Sequence, residues 1–529
     1  MASRTSLVRD LGDFQTPAGL INEVLRCLGP IGELWPRVLE PTCGAGNFIA
    51  GLLKLSPPPR EIRAFELQDT YVDNARALLK AYPGNRVVID RGDVFKVDLS
   101  SICWAESGPL LVIGNPPWVT ASELGALRSA NTPQKSNLKG LRGIDALTGE
   151  SNFDIGESVW IKLMVELFHE QPTIALLCKT AVARNVLKFA HDRNIPVTSA
   201  SIRKIDALRW FGAAVDACLF WIEMGSGKPV YEAPVYANLG ATEPEGVMGI
   251  VRGRVVPNLE KYGSVAYADG KSSLVWRQGL KHDAASVMEL NGDTEIMRNR
   301  LGEIADLESN YVFPLLKGTA LFKGEIRAPR LFVIVPQQQL GEETRRLQQT
   351  APKLWAYLSR HIKVFKDRKS SIYRGLPLFS VFGIGPYSFA PYKVAVSGLH
   401  KVPRFRAIGV YTSKPIMLDD TCYFIPCATP HQAAFLATLL NSPPCLRMLE
   451  SMMFHDAMRP ITKKLLQRID LKAIMGSLGR EELLDLATTQ LRELGVEIDS
   501  AASWPVSLEH FLVERFAGPN AATQARIAF

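Results

Sequence analysis

The residues best equipped for chemistry are Asn115-Pro116-Pro117-Trp118, which follow the apolar run Leu110-Leu111-Val112-Ile113-Gly114. An amide, two prolines and a large ring after a buried strand predict a rigid ledge of donors and acceptors where catalytic loops lie. As a loop alone, Asn-Pro-Pro is also a common turn stop. A second segment runs from Val38 through Glu40, Pro41, Thr42, Cys43, Gly44, Ala45, Gly46, Asn47 and Phe48. Here a strand ends in an acid and a glycine-rich turn opens a helix, so the backbone can come close to a ligand; the bland reading is a tight strand-to-helix turn. Glu66 ends the next strand, where an acid hydrogen-bonds ribose hydroxyls in nucleotide-binding α/β sheets. Gly92-Asp93-Val94-Phe95 follows the third strand. Alone, Asp93 reads as a helix cap. Taken together these carboxylates predict a nucleotide-like ligand at the strand ends, beside the amide ledge.

Positioning those residues requires a sheet. Apolar runs at 37–40, 62–66, 87–90, 110–114, 173–178, 199–205 and 216–224 read as strands, with helical periods at 46–55, 69–81, 157–169 and 182–194. Alternation of this kind predicts an α/β domain of three layers: a seven-stranded, mostly parallel sheet with helices on both faces. The last two strands are joined by 206–215, too short for a helical crossover, and should form an antiparallel hairpin at one edge. This domain is expected to span 1–225. Segment 226–304 begins, to about Gly263, rich in Gly, Pro and Val without a helical period, which suggests short strands and turns connecting two domains; 305–480 alternates aromatic, basic and β-branched residues and reads as a second, α+β domain. Residues 481–529 read as a helical extension, with surface helices at 480–495 and 508–517.

Length and charge narrow the classes. The 529 residues, 47% of them hydrophobic, suffice for two or more full cores and exclude disorder as the main state. A net charge of +8 is modest for this length and favours an anionic partner. Neither an apolar stretch of roughly 18 residues nor a secretory leader is present, so a soluble, cytoplasmic protein without membrane contact is expected. The eight cysteines are dispersed without a CxxC pair; they read as small buried residues, with no metal site expected.

With those motifs in order, the chain resembles the class I S-adenosylmethionine-dependent amino-methyltransferases, specifically the adenine-N6 DNA methyltransferases of restriction-modification systems in their gamma arrangement. The motif match covers about the first 225 residues. Asp13-Phe14-Gln15-Thr16-Pro17 resembles the N-terminal motif that packs on the methionine end of the cofactor. Glu40 to Phe48 resembles the glycine loop, Glu66 the ribose-binding acid, and Asp93-Val94-Phe95 the segment facing the cofactor adenine. Asn115-Pro116-Pro117-Trp118 is similar to the (Asp/Asn)-Pro-Pro-aromatic catalytic motif. The resemblance implies S-adenosyl-L-methionine as cofactor, held by Phe14, Thr16, Pro17, Glu40, Pro41, Cys43, Gly44, Gly46, Asn47, Phe48, Glu66, Asp93 and Val94. It also implies double-stranded DNA as substrate. Asn115 Oδ1 and the Pro116 carbonyl would accept the two amine hydrogens, Pro117 would stiffen the loop, and Trp118 would offer a face to a flipped base. Other N-methyl acceptors using this motif are cytosine N4, RNA guanine and protein glutamine amides.

Later elements are less specific. Asp154 either shapes the target-base pocket or caps the helix that follows, and 120–151 is either a mobile loop over the target strand or a plain surface loop. Basic residues interleave with aromatics at Arg360–Arg374 and again at Lys393–Arg406. Such runs are ordinarily solvated faces, but several in one domain beside a base-modifying core favour phosphate contacts. The stretch also resembles the target-recognition region of gamma-type enzymes, which implies DNA contacts from Arg368, Lys369, Lys393, Lys401, Arg404 and Arg459. The segment from Arg459 to Lys464 reads equally as a phosphate clamp or a helix start. A cognate endonuclease encoded separately is expected by analogy, with no nuclease domain ahead of Asp13.

Overall fold

In the computed structural model, which describes residues 15–82, 84, 86–119, 154–292 and 296–496, the apolar runs become strands of one sheet. They are β1 (Arg37–Glu40), β2 (Glu61–Glu66), β3 (Arg86–Arg91), β4 (Leu110–Gly114), β5 (Thr173–Lys179), β6 (Val197–Ile205) and β7 (Ala217–Met224). Every residue of β1 and β4 is buried, the pattern of strands covered on both faces. Parallel pairing joins β3, β2, β1, β4 and β5 in that spatial order. The register sets Val38 beside Ile62 and Leu39 beside Val112. Strand β7 lies antiparallel between β5 and β6.

Helices cover both faces. Helix α1 (Ala18–Leu28) repeats apolar residues at Leu20, Ile21, Val24, Leu25 and Leu28, one helical stripe. With α2 (Asn47–Leu52) and α3 (Asp69–Leu79) it closes a core over Val38, Ile62, Leu111, Ile113 and Leu219. Phe220, one residue after Leu219, faces the other way and meets Trp160 of α4 (Ile155–Glu166) at 4.8 Å between ring centroids. Helix α5 (Thr180–Asp192) packs beside α4.

The sheet is larger than expected. Strands β8 (Glu232–Tyr236), β9 (Gly246–Val251) and β10 (Arg254–Val256) extend it past β6 to ten strands. The β6–β7 hairpin is antiparallel as expected, but it is not an edge: β8 pairs in parallel with β6, and β9 and β10 follow antiparallel. An exposed ladder of N–H and C=O groups on β6 is thereby covered. Accordingly the chain divides into two compact units at Met1–Glu260 and Lys261–Phe529, not at 225. Short Gly- and Pro-bearing strands carry no helical period, which is why the sequence reads there as a connection.

The second unit combines sheets and helices. One sheet has the order β13 (Met297–Asn299), β12 (Glu289–Gly292), β15 (Leu331–Ile334), β14 (Val312–Leu316), β20 (Met417–Leu418). Another runs β11 (Arg277–Gln278), β21 (Cys422–Cys427), β16 (Tyr392–Ser397), β17 (Arg406–Ile408). Strands β18 (Val410–Tyr411) and β19 (Lys414–Pro415) make a small hairpin. The helix at Arg480–Glu493 packs on that at Pro430–Leu440 inside this unit, so it is part of the fold and not an appended extension. The helix expected at 508–517, the 120–151 loop and Phe14 lie outside the described residues. Of the cysteines, Cys103 is exposed and Cys27 half-buried, correcting the expectation that all are buried. Among the described residues no helix is long and apolar enough to cross a membrane.

Candidate active site

The first four parallel strands bring their C-terminal ends to one crevice, where β1 lies between β2 and β4 and the strand order reverses. Ligands of open α/β sheets bind at such switch points. A cavity of about 320 Å³ occupies this place, at the small end of cofactor-sized sites. Thr16, Glu40, Pro41, Cys43, Gly44, Asn47, Phe48, Glu66, Asp93, Val94, Asn115 and Pro117 line it. Segments far apart in sequence therefore share one site.

The glycine turn is stitched to its neighbours. Glu66 accepts the Gly44 N–H through Oε2 and the Gln68 N–H through Oε1, both at 2.9 Å. Cys43 N–H bonds the Phe65 carbonyl at 2.9 Å, and Ala45 N–H donates to Gln15 Oε1 at 3.2 Å. Gly46 takes φ 84° as the N-cap of α2, and a Cβ there would stand 3.0 Å from the Cβ of Ala75. Its role is therefore turn geometry and helix packing, since it does not line the cavity. Gly44, at φ 52°, leaves room that a Cβ would take from the Gln15 amide at 2.8 Å.

The carboxyl groups of the site differ in their surroundings. Burial first, and the nearby Glu66 charge second, hold Glu40 well above the usual carboxylate range. Its Oε2 is buried without a hydrogen-bond partner among the described residues. Burial likewise pushes the Cys43 thiol up, with Glu40 and Glu66 adding to it, so this thiol is not a nucleophile. Asp93 Oδ1 accepts the Phe95 N–H at 3.0 Å, closing a turn and not capping a helix, since the next helical element begins at Leu99, and Asp93 also lines the cavity.

At the end of β4, Asn115 donates from Nδ2 to Thr16 Oγ1 at 3.2 Å, and Thr16 accepts Asn47 Nδ2 on its carbonyl at 3.1 Å. Pro17 precedes α1 as its N-cap and, like Pro116, is not in the cavity wall. Trp118 departs from expectation. Its ring is buried, Nε1 donates to the Leu177 carbonyl at 3.4 Å, and its edge meets Phe211 at 5.1 Å. A large apolar ring after stiff prolines drops into the core, where it anchors the loop, and it is not among the residues that line the cavity. Asp154 is a helix cap: Oδ1 accepts the Gly156 N–H at 3.0 Å and Oδ2 pairs with Lys179 at 2.8 Å.

Sequence reasoning left Gln15, Thr42, Leu67, Gln68, Tyr71, Gly92, Phe95, Val119, Ile155 and Val159 out of the site, though all line the cavity. Gln15 and Phe95 sit inside motifs already singled out. Ile155 and Val159 are one helical turn apart, a spacing that puts both on one face. Tyr71, an aromatic in the first turn after the Glu66 strand, offered the clearest overlooked signal.

In the second unit the basic residues separate. Lys369, Lys401 and Arg404 are exposed. Arg368 is not arranged as a phosphate contact: its guanidinium donates to the carbonyls of Phe365, His282, Ser380 and Leu378 and lies 3.7 Å from the Tyr373 ring centroid. Lys393, 2% exposed on β16, is also unavailable and donates to the Ala390 carbonyl at 2.8 Å. Arg459 pairs with Asp420 at 2.9 Å, and Thr462 caps the helix Lys463–Leu466, which favours the helix-start reading. Alternation of basic and apolar residues does not say which cations point inward, and that ambiguity is the source of these corrections.

A crevice of this construction is a ligand site of an α/β enzyme, and the comparisons assign the class. No family model matches the chain. A type II methyltransferase, M.NspV of Nostoc sp. (strain ATCC 29411 / PCC 7524), is 36% identical over 466 residues, spanning 88% of this chain and 97% of that protein. The solved structure of the type IIL restriction-modification enzyme MmeI in complex with DNA is similar with a TM-score of 0.51 at 12% identity, covering 94% of this chain and 75% of that one. The second likeness is one of fold. The first shows that this chain belongs to the type II methyltransferase family and is an enzyme of methyl transfer.

Proposed function

We propose that the chain transfers a methyl group from S-adenosyl-L-methionine to N6 of an adenine flipped out of a specific duplex DNA sequence, as the modification component of a restriction-modification system. One observation carries the reading: the amide of Asn115 shares a single cavity with the Glu40–Phe48 turn and Glu66. The relative M.NspV is named a type II methyltransferase, and MmeI was solved with DNA. An endonuclease encoded separately is the expected partner.

The residues fit the cofactor. Glu40 offers a buried carboxylate oxygen with no partner among the described residues, suited to a group bearing ammonium and sulfonium charges. Glu66 would meet the ribose, and Val94 with Phe95 the adenine ring. When bound, S-adenosylmethionine supplies an activated methyl on a sulfonium leaving group. The protein's share is to present the acceptor. An exocyclic adenine amine is a weak nucleophile because its lone pair is delocalised into the ring. Hydrogen bonds from its two N–H groups to Asn115 Oδ1 and the Pro116 carbonyl favour the pyramidal form and aim the lone pair at the methyl carbon. Alignment of the two reactants contributes the rest, and the methylated nitrogen, cationic once the new N–C bond has formed, then gives one proton to solvent water. Lys369, Lys401 and Arg404 would contact phosphate.

The test is modification-sensitive long-read sequencing of DNA from a methylation-deficient bacterial host expressing the wild type or Asn115→Ala. N6-methyladenine at one short motif in the wild type alone supports the reading. N4-methylcytosine, or no DNA signal from protein that binds cofactor, overturns it.

A further inference from the structure

We propose that the loop joining β16 to β17 reads thymine methyl groups in the major groove of the recognised duplex, with Val402 as its principal contact. The inference rests on the duplex-DNA reading above and names an element of the second unit that would choose the sequence.

The loop mixes two kinds of exposed side chain. Leu399 and Val402 expose 38% and 49% of their surfaces, and the exposed Lys401 and Arg404 stand among them. Cations in such a loop suit phosphate, but apolar carbon has no counterpart there. In the major groove the apolar group that base pairs offer is the thymine C5-methyl, set beside the donors and acceptors of the same edge. A loop that carries both kinds of side chain matches a groove floor between two phosphate strands.

A contact with one methyl group discriminates only if the side chain is held in place before binding. This loop is held along its length. Gly398 N–H donates to the Thr421 carbonyl at 2.8 Å, and a Cβ on Gly398 would come within 2.9 Å of the Tyr423 ring and 3.2 Å of the Ile461 carbonyl oxygen. The His400 ring stacks on Phe322 of the helix Gly318–Lys323, with 3.9 Å between ring centroids and 5° between their planes. Its Nδ1 lies 2.8 Å from Oγ of Ser397, the buried last residue of β16. Burial first and the Arg404 charge second lower the His400 pKa from its ordinary 6.5, so at pH ~7 the ring is a neutral brace and not a further cation. Beyond Val402, Pro403 and Phe405 are buried. Phe405 N–H donates to Asn441 Oδ1 at 3.0 Å, and its carbonyl accepts Asn441 Nδ2 at 2.8 Å. Val402 is thus an exposed side chain directly before an anchored segment. Short and branched at Cβ, it can meet a base edge but not wedge between stacked bases, a task of longer side chains.

The experiment uses the full-length protein. Selection from randomised duplexes defines the recognised motif without reference to methylation, and affinity is then measured with each thymine of that motif replaced singly by uracil, which lacks only the C5-methyl. Wild-type affinity is expected to fall by about 3- to 10-fold at the contacted positions. Val402→Ser and Val402→Ala should bind the thymine duplex about as weakly as the wild type binds the uracil one, and lose less than about 2-fold on the further replacement, since the methyl then has nothing to touch. With no charge removed, the slope of log K against log salt should stay at the wild-type value. A wild type indifferent to uracil at every position would overturn the proposal, as would Val402 variants that keep the full uracil penalty. Equal weakening on every duplex, with a reduced salt slope, would do the same. A wild type that selects no motif defeats this inference together with the duplex reading it rests on. A selected motif that carries no N6-methyladenine after turnover defeats the methyl-transfer reading alone, whereas a methylated motif without a uracil effect defeats only the assignment of the loop.

Discussion

Glu40 and Glu66 end neighbouring parallel strands and face one cavity, yet only Glu66 has both carboxylate oxygens bonded to backbone N–H groups, at 2.9 Å each. Glu40 is 2% exposed with Oε2 lacking a partner among the described residues. Burial and then the Glu66 charge raise its pKa, with the un-ionised Cys43 thiol beside them. Glu66 therefore builds the turn, while Glu40 is free of that task.

That difference predicts proton-linked cofactor binding. Without ligand Glu40 keeps its proton where an ordinary glutamate has lost it, and a cationic ligand favours the ionised form. Binding of S-adenosylmethionine should release protons wherever free Glu40 is still protonated, and should tighten as pH rises until Glu40 is ionised in the free protein. Calorimetry in buffers of different ionisation enthalpy measures the release, and Glu40→Gln should abolish it. The matching stability contribution is fully present below the ordinary pKa of 4.5 and is lost as pH rises through the raised folded value.

Asn115→Ala and Glu66→Ala should fail in different ways. Removing the amide acceptor takes away an interaction realised in the transition state, so kcat should fall by about 10²–10³-fold with cofactor Kd changed only a few-fold. Removing the Glu66 carboxylate releases the N–H groups of Gly44 and Gln68. Cofactor affinity should weaken first, accompanied by a lower Tm, at a cost of about 1–3 kcal/mol for each buried donor left unpaired. Cofactor titration and single-turnover rates on the same preparations distinguish the two.

Much of the candidate site was legible because a parallel sheet gathers strand ends. Apolar runs placed β1 to β4, and residues at or just beyond the end of each run then had to reach the same crevice, as Glu40, Glu66, Asp93 and Asn115 do. What stayed hidden depends on side-chain direction. Nothing in the local pattern says that Trp118 turns into the core toward Leu177, or that Thr16 reaches Asn115. Short strands were expected after Gly225, but not that β8 to β10 join the main sheet, because the pairing of Glu232–Tyr236 with the β6 edge is a tertiary contact that local propensity does not encode.

Lys393 provides a stability test. Burial lowers its pKa from 10.5 to about 7, so the folded state is penalised whenever the ammonium must be charged inside the β16–β21 sheet. Below pH 7 the penalty is complete; between 7 and 10.5 the unfolded chain holds a proton that the folded one lacks, and stability rises with pH. Lys393→Met should stabilise the protein by on the order of a few kcal/mol at pH ~6, with the advantage shrinking toward pH ~10. Denaturant melts across this range check the sign, and DNA affinity should not change.

The exposed and internal cations of the second unit should separate in salt titrations. Lys401 and Arg404 are exposed, and neutralising a phosphate contact removes about one counterion from the binding equilibrium. Alanine at either should weaken duplex binding across sequences and reduce the slope of log K against log salt by about 1. Arg368 instead donates to four backbone carbonyls from Phe365, His282, Ser380 and Leu378. Arg368→Ala leaves those carbonyls without their donors and empties the space over Tyr373, so it should lower Tm by several degrees while the salt slope stays at the wild-type value. A slope reduced by Arg368→Ala with Tm unchanged would place that guanidinium on the DNA and reverse the assignment.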